Sequence, residues 1–286
     1  MTPKVSILMG IYNCEKTLRH ALDSIIRQTY KNWEVIICDD GSHDKSYEIA
    51  MEYAAKDNRF IVIRNPENLG LAVSLNRCLQ IAKGEYIMRQ DGDDLMEVSR
   101  IEKQVQYMGN NNCDVCGTGA FVFDETGIWG LRMPDINPEK EIMAKGVPVI
   151  HATVIMKKNT LTGVNGYSET KLTRQRLEDY DLWTKLFEKG CIFHNLNEPL
   201  YYYRIDKNSY QRRKRKFRLA EGRLRLKACR RLGLPFWMRI YALKPLILML
   251  MPSVLVQKLN IRRLTNRLKS SAYNNFTLNI SNLLHI

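Results

Sequence analysis

Val5-Ser6-Ile7-Leu8-Met9 is an almost unbroken apolar run, and Leu18, Leu22, Ile25 and Ile26 follow it at helical spacing. The pairing returns in Glu34-Val35-Ile36-Ile37-Cys38, with a helical pattern from near Asp44 that carries Tyr47, Ile49, Met51 and Tyr53-Ala54. It returns again in Phe60-Ile61-Val62-Ile63, ahead of Leu71, Leu75, Leu79 and Ile81, and Glu85-Tyr86-Ile87-Met88 supplies a fourth run. Strands apolar on both faces, alternating with amphipathic helices, predict parallel βαβ units whose helices cover both sides of one sheet. The fold expected is α/β, Rossmann-like, with a mainly parallel central sheet. Beyond residue 110 the pattern is mixed. Val115 to Phe123 and Ala152 to Met156 read as further strands, and a helix starts near Glu178-Asp179 with Leu182, Trp183, Leu186 and Phe187 as core residues.

Ligands on such sheets bind outside the carboxyl ends of the strands. That rule gathers the loops Gly10-Ile11-Tyr12-Asn13, Asp39-Asp40-Gly41-Ser42, Asn65-Pro66-Glu67-Asn68 and Asp91-Gly92-Asp93-Asp94. The first loop has one glycine, not the G-x-G-x-x-G spacing that admits a dinucleotide. Tyr12 there suits stacking on a nucleobase or packing into the turn. A carboxylate of Asp39-Asp40 suits the N3–H of uracil, while Ser42 or Asp44 suits helix capping. Gln90-Asp91-Gly92-Asp93-Asp94 crowds three carboxylates into four residues. Either the loop caps a helix, or a cation sits among them. Mg²⁺ or Mn²⁺ is the usual choice, a hard ion that keeps room for substrate phosphates.

The net charge of +14 is unevenly divided. Residues 1–200 carry 24 Lys+Arg against 28 Asp+Glu, whereas 201–286 carry 20 against 2. An ordinary domain with a metal-attracting cleft over 1–205 and a basic, partly apolar helical region over 206–286 are therefore expected. Residues 211–231 hold eleven Lys/Arg and only Glu221, and an apolar stretch with Phe236, Trp237, Met238 and Leu246 to Met251 follows. The uncharged run Pro245 to Val256 is shorter than the ~20 residues a spanning helix needs. Basic residues beside an apolar, aromatic stretch suit docking on an anionic membrane surface. No nucleic-acid reading motif is present, so nucleic acid is not expected as a partner. Seven scattered cysteines suit a reduced, cytoplasmic chain, and Met1 runs almost directly into a strand, without a charged n-region and apolar core of a signal peptide. Cys113-x-x-Cys116 lacks a second pair at zinc spacing and reads as strand packing.

Val5-Ser6-Ile7 with Tyr12-Asn13, Gln28-Thr29-Tyr30, Asp39-Asp40-Gly41-Ser42, Asn68-x-Gly70, Gly84 to Ile87, Asp91 to Asp94 and Glu178 to Trp183 occur in the order seen in family 2 glycosyltransferases. Over residues 4–205 the chain resembles the bacterial single-transfer enzymes that build capsule, lipopolysaccharide or exopolysaccharide. The resemblance implies a GT-A fold, a nucleotide-sugar donor with UDP-sugar foremost, Mg²⁺ or Mn²⁺, and inversion at the anomeric carbon. It places Tyr12 on the uracil, Asp40 on its N3–H with Asp39 nearby, and Asp93 on the metal. Asp91 would contact the ribose or donor sugar, and Asp94 would only orient the loop. Asp179 would be the general base, Glu178 its support or an acceptor contact, and Arg204 a contact to the diphosphate. His151 is a weaker candidate for the donor site. The implied acceptor is a hydroxyl of a lipid-linked sugar or oligosaccharide at the inner face of the plasma membrane. Processive relatives carry Gln-x-x-Arg-Trp, whereas Gln211-Arg212-Arg213-Lys214-Arg215 lacks the Trp. The competing classes are a nucleotidyltransferase, which would need a Gly-rich basic loop after the first strand, and a non-catalytic protein that binds anionic lipid or nucleic acid.

Overall fold

The computed structural model describes residues 2–170, 177–205 and 215–273. Residues Gln211 to Lys214, on which the Gln-x-x-Arg-Trp comparison falls, lie outside the described residues. The first half is β1 (Val5–Ile11), α1 (Leu18–Ile26), β2 (Trp33–Asp39), α2 (Ser46–Lys56), β3 (Phe60–Arg64), α3 (Leu71–Ile81) and β4 (Tyr86–Arg89). These four strands are mutually parallel in the order β3-β2-β1-β4. The register pairs Ile11 with Asp39 and Asp39 with Arg64, so the loops after β1, β2 and β3 emerge side by side.

The second half adds β5 (Leu95–Met96), α4 (Arg100–Asn110), β6 (Val115–Asp124), β7 (Gly127–Arg132), α5 (Ile142–Lys145), β8 (Ile155–Lys157), α6 (Lys158–Thr162), α7 (Glu178–Glu188) and β9 (Phe193–Arg204). Strand β8 is antiparallel to both β4 and β6, and the sheet continues β8-β6-β9-β5 with β7 on the side of β6. This is the mixed half that the sequence pattern predicts. One strand is shorter than expected: His151–Thr153 form a 3₁₀ turn, and only Ile155–Lys157 is extended. The Thr153 hydroxyl donates to Ile150 O at 2.9 Å and accepts from the Thr118 N–H at 3.1 Å, which holds the chain in the turn.

Alternation along the strands divides the core between the two sheet faces. Leu8 and Ile36 join Leu75, Trp183 and Leu186 on one face, while Ile7, Met9, Val35 and Ile37 join Leu22 and Ile25 on the other. All seven cysteines are unpaired, and Cys113 and Cys116 are buried in packing, as their spacing suggested. The chain closes with α8 (Arg215–Arg231), a 3₁₀ helix Phe236–Leu243, α9 (Lys244–Leu250) and α10 (Ser253–Lys269). Leu224, Ala228, Cys229 and Met238 enter the same core cluster as Trp183. Helix α10 lies on β7, where a Cβ at Gly130 would stand 2.9 Å from the Leu264 Cβ. The glycine permits that approach.

Gly41, in the turn after β2, has φ +72°, and a Cβ there would meet the Glu67 backbone at 2.8 Å. Gly41→Ala is expected to lower the unfolding free energy by at least ~1–2 kcal/mol, the cost of left-handed backbone alone. Gly109→Ala, with open space in α4, should instead stabilise by about 0.4–1 kcal/mol. Equilibrium urea unfolding of both variants checks the pair, and an unchanged Gly41→Ala midpoint contradicts the reading.

Candidate active site

A cleft of about 710 Å³ opens at the carboxyl ends of the parallel strands. Its walls bring together Tyr12, Asp40, Asp91, Asp93, Glu178 and Asp179, residues drawn from four separate loops and helix starts. On the β1 side, Asn13 adopts φ +49°, a conformation its short amide tolerates. Its Oδ1 accepts from the His43 N–H at 2.9 Å, and its own N–H donates to Ser42 Oγ at 3.1 Å. The β1 and β2 loops are thereby stitched together. Tyr12 is not packed into the turn: it is 43% exposed and meets only the edge of His43, with ring centroids 6.5 Å apart.

The two aspartates after β2 separate sharply. Asp40 lines the cleft, and its oxygens accept from Asn65 Nδ2 at 2.6 Å and from the backbone N–H groups of Leu69 and Gly70 at 2.9 Å each. It fastens the loop that leads into α3, and Gly70 at φ +95° makes the tight entry. Asp39 is fully buried and does not line the cleft. It accepts from Arg64 Nε at 3.0 Å and the Ser42 N–H at 3.2 Å. Asp44 accepts from the Ser46 N–H at 3.0 Å, close to its expected capping role.

The acidic loop after β4 carries a cation of its own. Arg89 is buried beneath the loop, lines the cleft and places Nη2 2.5 Å from Asp91 Oδ1. Burial opposes that charge, but Asp91 together with Tyr167 and Tyr201 outweighs it and raises the guanidinium pKa. A second buried guanidinium, Arg100, donates to the carbonyls of Arg89 and Ala152 at 3.2 Å and lies over the Tyr201 ring. Asp94 is buried, and desolvation, followed by the charges of Asp93 and Asp91, pushes its pKa well above the carboxylate range. Its Oδ1 accepts the Arg204 N–H at 2.7 Å. Asp93 is exposed in the cleft. The three carboxylates therefore have three different states: one paired, one driven towards protonation and one facing the cleft.

Among the described residues no three His, Cys, Asp or Glu side chains converge as a ready metal cage. Asp93 with Asp91 still fits a hard divalent ion, since Mg²⁺ typically binds through one or two carboxylates and completes its shell with phosphates and water. Arg204 does not line the cleft. Its Nε donates to Asp93 O at 3.2 Å and its guanidinium lies 4.7 Å over Phe123, so it braces the acidic loop.

Across the cleft, Glu178 and Asp179 are the first residues of α7, as the sequence pattern predicts. Asp179 Oδ1 accepts the Tyr180 N–H at 2.7 Å. Glu178 is buried, and desolvation, then the charge of Asp179, raises its pKa to about 7. His151 lines the cleft with Nε2 2.9 Å from Tyr167 Oη. Burial and then Arg89 push its pKa well below the usual imidazole value, so it is neutral. Sequence reasoning missed Arg89, although a base two residues before Asp91 on a buried strand was a usable signal. It also missed Arg132 and the wall formed by Phe217, Arg218, Glu221 and Arg225 of α8, which no local pattern ties to the cleft.

The sequence model of Glycosyl transferase family 2 matches residues 6–161. EpsE of Bacillus subtilis strain 168, which carries a glycosyltransferase name, is 45% identical over 267 residues, covering 93% of this chain and 96% of that one. WfaP of Escherichia coli, a UDP-Glc:alpha-D-GlcNAc-diphosphoundecaprenol beta-1,3-glucosyltransferase, is 34% identical over 207 residues, 72% of this chain and 78% of that one. The crystal structure of S. aureus TarS in complex with UDP-GlcNAc aligns with a TM-score of 0.65 at 19% identity, covering 86% of this chain and 71% of that chain. That likeness is one of fold, the GT-A arrangement.

The raised pKa of Glu178 has a definite sign in stability. The folded state holds its proton in a pH range where the unfolded state has released it, so stability falls as pH rises from about 4.5 to about 7. Glu178→Gln is expected to flatten that interval and to be more stable than the wild type above it, by on the order of 1 kcal/mol or more. Urea unfolding across the interval checks this, and an unchanged slope in Glu178→Gln refutes it.

Proposed function

The chain belongs to glycosyltransferase family 2, and on that premise we propose that it moves one sugar from a UDP-sugar to a hydroxyl of a lipid-linked or oligosaccharide acceptor, with inversion. The arrangement carrying this reading is the convergence of Glu178, Asp179, Asp93, Tyr12 and Asp40 on one cleft. The product would be a bacterial surface polysaccharide, in keeping with the undecaprenol-linked substrate in the name of WfaP. Residues 1–205 are proposed as the catalytic region, with α8 closing one wall. The region 206–286 would hold the enzyme against the inner face of the plasma membrane.

The mechanism follows from what each residue can hold. Tyr12 offers an exposed ring for the uracil, and Asp40 offers its remaining acceptor capacity to N3–H. Asp93, with Asp91 beside it, would hold Mg²⁺ or Mn²⁺, which when bound adds positive charge against the donor diphosphate. Arg89 keeps Asp91 in place and limits the negative charge that the diphosphate meets. The acceptor oxygen bonds to the anomeric carbon as the bond from that carbon to the diphosphate breaks. The electron pair leaves with UDP, and the acceptor proton passes to Asp179. That transfer needs a carboxylate held ionised, and the N-terminus of α7 favours the anion. Glu178 takes the burial penalty of the pair, so one negative charge stands there instead of two near neutrality. It can then donate a hydrogen bond to substrate.

Asp179→Asn is expected to keep UDP-sugar affinity while transfer falls by ~10²–10⁴, the usual worth of a general base. Asp93→Ala should lose the Mn²⁺-dependent part of UDP binding. Calorimetric titration with UDP, with and without Mn²⁺, and radiolabelled sugar transfer measure the two effects. Normal transfer by Asp179→Asn moves the base assignment to Glu178, and absence of UDP binding under both conditions rejects the donor assignment.

A further inference from the structure

Phe236, Trp237, Ile240, Leu243, Ile247 and Leu250 form a single exposed stripe along the 3₁₀ helix and α9. Phe236 is 78% and Leu250 82% exposed, values that large apolar side chains on a soluble face reach singly, not in a row. From Trp237 onward their spacing of three and four residues keeps them near one side, with Phe236 adjacent. Val254 and Leu259 of α10 are also exposed, beyond a bend of 120° between the two helical arms. No single described helix is long and apolar enough to cross a membrane. Together the two arms have the length and composition of a broken membrane segment. Leu264, however, holds α10 against β7, so the exposed residues suit lying in an interface rather than crossing it.

Charge selects what covers it. Phe236 to Lys269 contains seven Lys/Arg, and no Asp or Glu occurs anywhere after Glu221. A second copy of the same surface would set seven cations against seven. Arg239 lies 4.8 Å over the Phe236 ring, and Lys244 stands exposed within the stripe between Leu243 and Ile247. Cations bordering inserted aromatic and aliphatic side chains match anionic headgroups above acyl chains. We infer that this surface, from Phe236 to Leu259, is the bilayer-docking face and that it takes anionic phospholipid. The inference deepens the membrane placement proposed above.

The surface is coupled to the cleft through α8. A Cβ on Gly222 would stand 3.3 Å from Ala242 O, so α8 packs directly on the 3₁₀ helix, and Phe217, Arg218 and Glu221 of the same α8 line the cleft. Docking therefore fixes one cleft wall relative to the bilayer. A lipid-anchored acceptor would reach the reacting residues without leaving its leaflet.

Trp237 reports on the inference directly, since Trp33 and Trp183 are buried and Trp129 is half-buried. Full-length protein should sediment with phosphatidylcholine–phosphatidylglycerol vesicles and show a blue-shifted Trp emission, with little binding to phosphatidylcholine alone. Trp237→Phe should remove the shift but leave sedimentation. Ile240→Glu with Ile247→Glu should abolish sedimentation, and Lys244→Glu should weaken it by ~10-fold or more. All of these variants should bind UDP as the wild type does. Equal affinity for neutral vesicles, no vesicle binding, or light-scattering evidence of a dimer dissolved by Ile240→Glu would overturn the inference. Vesicle binding without UDP binding would instead refute the donor assignment and leave the docking face standing.

Discussion

The ion pair between the buried Arg89 and the half-buried Asp91 is the constraint around which the cleft is organised. Three carboxylates at the end of one strand repel each other in a poorly solvated site. The chain answers with a guanidinium from the strand itself and with the proton affinity of Asp94. Asp93 is the exposed member of the three and lines the cleft beside Asp91. Removing Asp91 would leave the buried Arg89 guanidinium without its ionic partner, which is costly for a charge held away from water. Burial, reinforced by Arg89, keeps His151 neutral, so the guanidinium bears on a second residue of the cleft.

A second organising contact sits on the nucleotide side. Asp40 ties the end of β2 to the entry of α3 through two backbone N–H groups, which makes it both a cleft residue and a structural clamp. Reading it as only one of these would be a mistake. Its neighbour Asp39 has the opposite fate, turned away from the cleft and held by Arg64 and the Ser42 N–H. Adjacent strand-end residues point to opposite sides of the sheet, so an Asp-Asp pair delivers one carboxylate to each.

The helical region after residue 215 is continuous with the rest of the molecule. Helix α8 shares the core of Trp183, supplies a cleft wall and supports the exposed apolar arm, while α10 is pinned on β7 at Gly130. The positive charge of residues 217–269 is therefore not carried on an independent appendage. It is built against the strands and helices that form the cleft.

The sequence by itself determined the parallel half of the sheet, the loops at its carboxyl edge and the family, because apolar periodicity and ordered motifs are local signals. It also located Tyr12, Asp40, Asp91, Asp93, Glu178 and Asp179, all of which reach one cleft. It misjudged the extent of the strand at Ala152, where the Thr153 hydroxyl bonds locally and wins over β-propensity. Only the tertiary structure separated Asp39 from Asp40, drew Arg204 behind the acidic loop, and brought Arg89 and α8 to the cleft. The reason is physical: charge pairing and desolvation depend on distances between residues far apart in the chain. Asp91, Asp93 and Asp94 are near-identical as letters and acquire different states only from what folds against each of them.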